Sequence, residues 1–265
     1  MPTSTTTDAL LEKISQLEEK VDALSSQLHK TLWDHTATFS HDIDIHACVL
    51  GSRASAEYVI QHMPKARVFK GPGFNAFGSD TEGADKLLEY KCQIAPEEGL
   101  VLEFGVFSGR SINYISELFP GKTIHGFDSF YGLPEDWKKD GYKGTFSRNG
   151  EAPSVVDAVE LHAGWFDECL PKFVQGLKSD EKVSFIHIDC DIYSSTITVL
   201  NSLQPYLQEG TVIVFDEYFN YPGWQEHEHK AWREFTTANN IQYDYFGYAS
   251  KHYSVGAQIK SIPNS

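Results

Sequence analysis

The sequence predicts an α/β fold: a doubly wound, mostly parallel sheet of seven strands preceded by a helical extension. Three observations carry this prediction. From Leu100 onward, short apolar runs alternate with amphipathic stretches, the pattern of strands covered by helices on both faces. The first run passes through two glycines directly into a helix. The last two runs, Gln242–Gly247 and Val255–Ile259, leave no room for a helix between them and so form an antiparallel hairpin. With 265 residues and 41% hydrophobic content, the chain can bury one sizeable core and carry an appendage.

The appendage comes first. Leu10, Ile14, Leu17, Val21, Leu24 and Leu28 recur at alternating spacings of four and three, an a/d heptad seam flanked by Glu12, Lys13, Glu18, Glu19 and Lys20. So narrow a seam suits one partner helix, and a homodimer is the expected arrangement; the alternative is that the helix packs back on its own domain. From His35 to Cys48 the chain is polar and His-rich (His35, His41, His46). These spacings match no metal-binding pattern, so the stretch reads as a linker or cap. Ala54–Met63 and Gly83–Cys92 are short helices. Between them, Val68 to Ser79 form a Gly/Pro-rich aromatic loop.

The remaining elements follow from periodicity. Strands are expected at Leu100–Val106, Thr123–Phe127, Val159–Ala163, Ser184–Asp189 and Thr211–Phe215, before the hairpin pair. Helices are expected at Ser111–Leu118, Asp167–Leu177, Ser195–Leu207 and His229–Ala238. In such a sheet the functional groups sit at the carboxyl ends of the strands.

Those ends carry the chemistry. Gly105 allows a sharp turn after the first strand, Gly109 allows a ligand to approach the main chain, and the following helix N-terminus offers free N–H groups. Glu103, inside the strand end, suits a cationic amino group and would sit badly beside a pyrophosphate. The spacing Gly-x-x-x-Gly, with Phe107 in place of a second glycine, departs from the dinucleotide fingerprint and argues against a nicotinamide oxidoreductase. Asp128, ending the next strand, can accept both hydroxyls of a ribose. An amino-acid end and a ribose end together describe S-adenosylmethionine. Asp189, Asp216 and Glu217 lie at neighbouring strand ends and could supply oxygen ligands to one Mg²⁺, which would hold a substrate oxygen and lower its pKa. The same acids could instead cap helices and contact the cofactor.

Five ordered motifs sharpen this reading: Glu103-Phe-Gly-Val-Phe-Ser-Gly109, Gly126-Phe-Asp-Ser-Phe-Tyr-Gly-Leu-Pro134, Gly164-Trp-Phe166 with Leu170-Pro171, Asp189-Cys-Asp-Ile-Tyr-Ser-Ser-Thr196, and Phe215-Asp-Glu-Tyr218. In these the chain resembles the macrocin O-methyltransferase family of class I, Rossmann-like methyltransferases, over about Gly99 to Trp232. The resemblance implies cofactor contacts at Glu103, Gly105, Ser111, Asp128 and Gly164, with Ser129, Trp165 and Asp189 beside them. It implies metal ligands at Asp189, Asp216 and Glu217. The family usually has two aspartates where this chain has Asp216-Glu217.

The expected activity is therefore methyl transfer to a hydroxyl or carboxylate oxygen of a small molecule: a phenol, a sugar or a carboxylic acid. A hydroxyl needs a base, for which Asp191, His227 and His229 are candidates. A carboxylate needs no base but does need a cation, such as Arg53, Lys70 or Arg148. The alternative is a catalytically inactive cofactor-binding module recruited through its N-terminal helix. The expected organisation is an oligomerisation helix over 1–34, a helical cap with the aromatic loop over 35–98, and the catalytic domain over 99–265. A net charge of −15 disfavours nucleic acid, and no apolar run reaches the length of a membrane span. Four scattered cysteines without metal-type spacing point to a reducing cytoplasm.

Overall fold

The structure is a computed structural model that describes residues 4–71 and 81–263. Its contacts divide the chain into two units, 1–49 and 50–265.

The first unit is helical. α1 runs Ser4–His41, and α2 (Ile43–His62) begins within this unit. The stretch expected to be a linker is thus largely helix. Asp42 explains the break: its Oδ1 accepts the amides of Asp44 (3.0 Å) and Ile45 (3.2 Å), capping α2 as α1 ends. Of the expected seam, Ile14, Leu17, Val21, Leu24 and Leu28 are all exposed, with Leu17 at 61% and Leu24 at 66%. The side chains of Leu10, His35 and His41 lie outside the described residues, as does the aromatic loop beyond Gly71.

The second unit holds an eight-stranded sheet. In chain order its elements are β1 (Arg67–Phe69), α3 (Thr81–Cys92), β2 (Leu100–Phe104), α4 (Arg110–Leu118), β3 (Ile124–Asp128), β4 (Val159–Ala163), α5 (Phe166–Gly176), β5 (Val183–Ile188), α6 (Tyr193–Leu203), β6 (Val212–Phe215), α7 (Glu228–Ala238), β7 (Gln242–Ala249) and β8 (Val255–Ser261). The strand order is β1-β7-β8-β6-β5-β2-β3-β4. β2 through β6 pair in parallel. β8 pairs antiparallel with both β6 and β7, as the hairpin reading requires. The expected count of seven becomes eight because Arg67–Phe69 pairs in parallel with Gly247–Ala249. Three residues are too few to show a period.

Both faces are covered, which is why the strands read as continuous apolar runs. On one face Leu102, Phe104, Phe127, Ile186, Ile188 and Phe215 pack with α5, α6 and α7 through residues such as Leu170, Leu200 and Trp232. On the other, Val101, Ile124, Phe185 and Val214 pack with α3 and α4 through Leu87, Ile112 and Ile115. The C-terminal half of α2 is fixed to the loop after β6. Ser55 Oγ accepts the Asn220 amide at 2.8 Å, and Tyr58 packs edge-on against Trp224 and His229. Among the described residues, no helix is long and apolar enough to cross a membrane.

Candidate active site

A cavity of about 530 Å³ opens at the carboxyl ends of β2, β3, β4 and β5. Of the residues singled out in the sequence, Gly105, Asp128, Ser129, Gly164, Trp165, Asp189, Asp191 and Glu217 line it. Glu103, Ser111, Asp216, His227 and His229 do not.

The turn after β2 is built by Gly105 and Asp128. Gly105 has φ +94°, and a Cβ there would lie 1.7 Å from the Asp189 carbonyl oxygen. Glycine is required because the ends of β2 and β5 touch. Gly109 has φ +83° and forms the N-cap of α4, but a Cβ on it would face Pro153 and Val155. Gly109 thus serves the turn, and it is not among the described residues that line the cavity. The Asp128 carboxylate stitches the loop. Its Oδ2 accepts the amides of Val106 (2.9 Å) and Phe107 (2.8 Å), and its Oδ1 that of Phe130 (2.7 Å).

Glu103 is completely buried. Its Oε1 pairs with His187 Nδ1 at 2.8 Å, while its Oε2 has no partner among the described residues. Burial raises its carboxyl above the ordinary range, against the opposing pull of His187. His187 Nε2 stands 3.9 Å from Asp216 Oδ1. Asp216 in turn accepts the Ser254 hydroxyl at 2.8 Å, and Ser254 pairs with His252 at 2.7 Å.

Carboxylates crowd beyond this pair. Ligand atoms of Asp189, Asp216 and Glu217 lie within 4.8 Å of one another. Burial first, then the neighbouring acids Asp216 and Asp191, push Asp189 and Glu217 well above the carboxylate range. Glu217 Oε2 is buried and has no partner among the described residues. Glu228, completely buried at the start of α7, accepts the Glu217 amide at 3.0 Å, and its other oxygen has no partner among the described residues. Three hard oxygen donors held this close, one of them orphaned, fit an oxygen-loving divalent cation.

Asp191 occupies a strained backbone position. Its φ is +64°, and the Ile192 amide reaches the Cys190 carbonyl at 2.7 Å, closing a γ-turn around it. Burial pushes its carboxyl up to about 7, with Lys138 opposing and Asp216 and Asp128 adding. Lys138 comes from the long loop after β3 and lies 3.5 Å from the centre of the Trp137 ring.

The two histidines are placed differently. His227 is half-buried, with its ring centre 6.5 Å from Trp137 and 6.3 Å from Tyr221. His229 packs edge-on against Tyr58, Tyr218 and Trp224, behind the cavity, where burial lowers its pKa to about 4. At the cavity mouth, Phe107 and Phe146 are 44% and 46% exposed and meet edge to face at 5.7 Å. Both have positive φ, an uncommon backbone for so large a residue. Lys138 and Phe146 were not singled out in the sequence; they come from a loop whose approach to the cavity only the fold reveals.

Residues 102–218 match the family described as a methyltransferase domain. A Streptomyces olivaceus protein, 8-demethyl-8-(2,3-dimethoxy-alpha-L-rhamnosyl)-tetracenomycin-C 4'-O-methyltransferase, is 25% identical over 143 residues, 45% of this chain and 53% of that protein. The chain thus spans about half the length of the curated relative it matches. The crystal structure of CalS11, a calicheamicin methyltransferase, superposes with a TM-score of 0.54 at 20% identity, over 77% of this chain and 85% of the other. That of the O-methyltransferase NovP gives 0.48 at 20% identity, over 67% and 80%.

Proposed function

We propose that this chain, which carries a methyltransferase domain of the class I fold over residues 102–218, moves a methyl group from S-adenosylmethionine to a hydroxyl oxygen of a small molecule. The observation that supports this best is the cavity itself. It sits at the strand ends, between the Gly105 turn and Asp128, with a fully buried Glu103 beneath. Among its described lining residues, six are acidic and none is Lys or Arg. Such a wall attracts a sulfonium cation.

The residues fit the cofactor. The free oxygen of Glu103 would take its amino group, Asp128 the ribose hydroxyls, and Ser129, Gly164, Trp165 and Asp189 would wall it in, with Ser111 at the helix start. Bound there, the cofactor supplies a methyl group on sulfur. The chain's part is to hold both ends, exclude water and aim the acceptor. Asp189, Asp216 and Glu217 would hold Mg²⁺, which supplies a Lewis acid beside the acceptor oxygen. Asp191 is the base, because its carboxyl lines the cavity beside Asp189. His227 stands next in line, and His229 packs the wall behind.

A hydroxyl is favoured over a carboxylate because no Lys or Arg is among the described residues that line the cavity. Of the cations a carboxylate would need, Arg53 pairs with Glu57 at 3.2 Å and Arg148 donates to the Glu151 carbonyl at 3.0 Å, both outside the lining. The tetracenomycin relative is named for a rhamnosyl compound, so a sugar hydroxyl heads the acceptor classes, with phenols second. Exposed Ile14, Leu17, Val21, Leu24 and Leu28 support a homodimer joined as a coiled coil. Unpaired Cys48, Cys169 and Cys190 suit a cytoplasmic setting.

Calorimetric titration with S-adenosylmethionine and with NAD, followed by methyl-transfer assays on sugars, phenols and carboxylic acids, tests the reading. Binding of S-adenosylmethionine and turnover of a hydroxyl acceptor are expected, with turnover lost in excess chelator and restored by Mg²⁺. Binding without turnover on any acceptor would indicate an inactive module; binding of NAD alone would overturn the reading entirely.

A further inference from the structure

We propose that His125, Glu160 and His162 form a second metal site, for a four-coordinate transition ion of the zinc type, on the edge of the sheet and separate from the strand-end acids. The strand register makes the cluster. His125 on β3 faces Glu160 on β4, and Phe127 faces His162. With side chains alternating every residue, all three groups project from one face at the pairing of β3 with the edge strand β4.

The distances suit one ion. His125 Nδ1 lies 3.2 Å from His162 Nε2 and 3.4 Å from Glu160 Oε2. All three ligand atoms lie within 4.8 Å of one another. Zinc–nitrogen bonds of about 2.0–2.1 Å in a tetrahedron separate neighbouring ligand atoms by about 3.3–3.4 Å. The two separations from His125 Nδ1 therefore already match edges of that tetrahedron, and the third pair lies within 4.8 Å. The rings are also held in place. Phe173 of α5 packs 5.0 Å from each histidine, and Phe127 stacks on His162 at 4.5 Å. Burial holds both imidazoles below their ordinary pKa, which favours the neutral form that ligates.

Access is open. Glu160 is 63% exposed, and His125 lines a second cavity of about 490 Å³ shared with Glu97, Glu98 and Lys122. That cavity borders the starts of β2 and β3, the opposite ends from the cofactor cavity. Two nitrogens and one oxygen favour zinc-type ions, whereas the three strand-end carboxylates favour magnesium, so the two sites select different metals. An ion here would clamp the edge strand two residues before Gly164, which lines the cofactor cavity.

The test is titration of the full chain with Co²⁺ and then Zn²⁺ in the presence of excess Mg²⁺. One equivalent of Co²⁺ should develop the strong visible bands of a four-coordinate ion, and one equivalent of Zn²⁺ should displace them. His125→Gln and His162→Gln should each remove the bands and weaken Zn²⁺ binding by at least about tenfold. Asp216→Asn should leave the bands unchanged. Zn²⁺ should raise the melting temperature of the parent chain and not that of His162→Gln. Circular dichroism would verify that each variant is folded. Two results would overturn the proposal: no four-coordinate bands, which leaves only an imidazole–imidazole hydrogen bond, or bands that persist when both histidines are replaced.

Discussion

Asp128 carries two loads, and substitution can separate them. Its carboxylate accepts three backbone amides, and it lines the cavity where a ribose would lie. In Asp128→Ala, the amide of exposed Phe107 can turn to water, but those of Val106 and Phe130 belong to buried residues. Each buried donor left unpaired costs about 1–3 kcal/mol, so the variant should lose about 2–6 kcal/mol. In Asp128→Asn, the single remaining carbonyl oxygen can take the place of Oδ2 and serve Val106. The new NH₂ then opposes the Phe130 amide, so the loss is about 1–3 kcal/mol, half that of alanine. For a domain of this size, each kcal/mol lowers the melting temperature by about 2–4 °C. Calorimetric melting gives the stability, and titration with S-adenosylmethionine below the melting range gives the affinity of the folded fraction. Both variants should bind more weakly than the parent chain. Equal stability of all three proteins would refute the stitching role; unchanged affinity in folded Asn and Ala variants would refute the ribose role.

Gly105→Ala forces a side chain into φ +94° and a Cβ to within 1.7 Å of the Asp189 carbonyl. Positive φ alone costs about 1–3 kcal/mol, and the overlap requires the ends of β2 and β5 to separate, so melting should show a larger loss and cofactor binding should vanish. His229 has a folded pKa of about 4 against an ordinary 6.5, so the unfolded chain binds the proton more readily. Stability should therefore fall as pH drops from about 6.5 towards 4, by about 1–2 kcal/mol at pH 5. His229→Phe should flatten that slope in denaturant titrations while methyl transfer survives; an unchanged slope would count against the buried neutral ring. Leu17→Glu with Leu24→Glu places like charges in the exposed seam; if the proposed dimer forms, sedimentation should show it converted to monomer, and a parent chain that is already monomeric would refute it.

The fold was legible because its strands are buried on both faces. Runs such as Val183–Ile188 and Val212–Phe215 are buried at every position and mostly apolar, and they stand out without neighbours. The cavity was legible where one strand end carries its own chemistry, as Gly105, Asp128 and Asp189 do. What the sequence hid depends on partners distant along the chain. Arg67–Phe69 becomes a strand only by pairing with Gly247–Ala249. Glu228 becomes a member of the acid cluster only because α7 sets it under Glu217. Lys138 approaches Asp191 from a loop with no period of its own. His229 is a candidate base in the sequence, and only the fold shows the aromatic rings of Tyr58 and Trp224 packed around it. Asp42 was a readable cap whose signal was masked by the polar, His-rich residues around it.

The placement of β8 bears on how the polypeptide emerges from the ribosome. β8 follows every other strand in the chain, yet it lies inside the sheet, between β6 and β7. Until Val255–Ser261 has been synthesised, Val212–Phe215 presents an unsatisfied edge, and the β7–β1 pair has no sheet to join. Open apolar edges of this kind recruit other chains. The nascent protein therefore passes through a window of roughly forty residues, two to eight seconds at about 5–20 residues per second, in which it is most in need of a chaperone. Translation slowed within the stretch between β6 and β8 should lengthen that window and raise the aggregated fraction, whereas slowing before β6 should not.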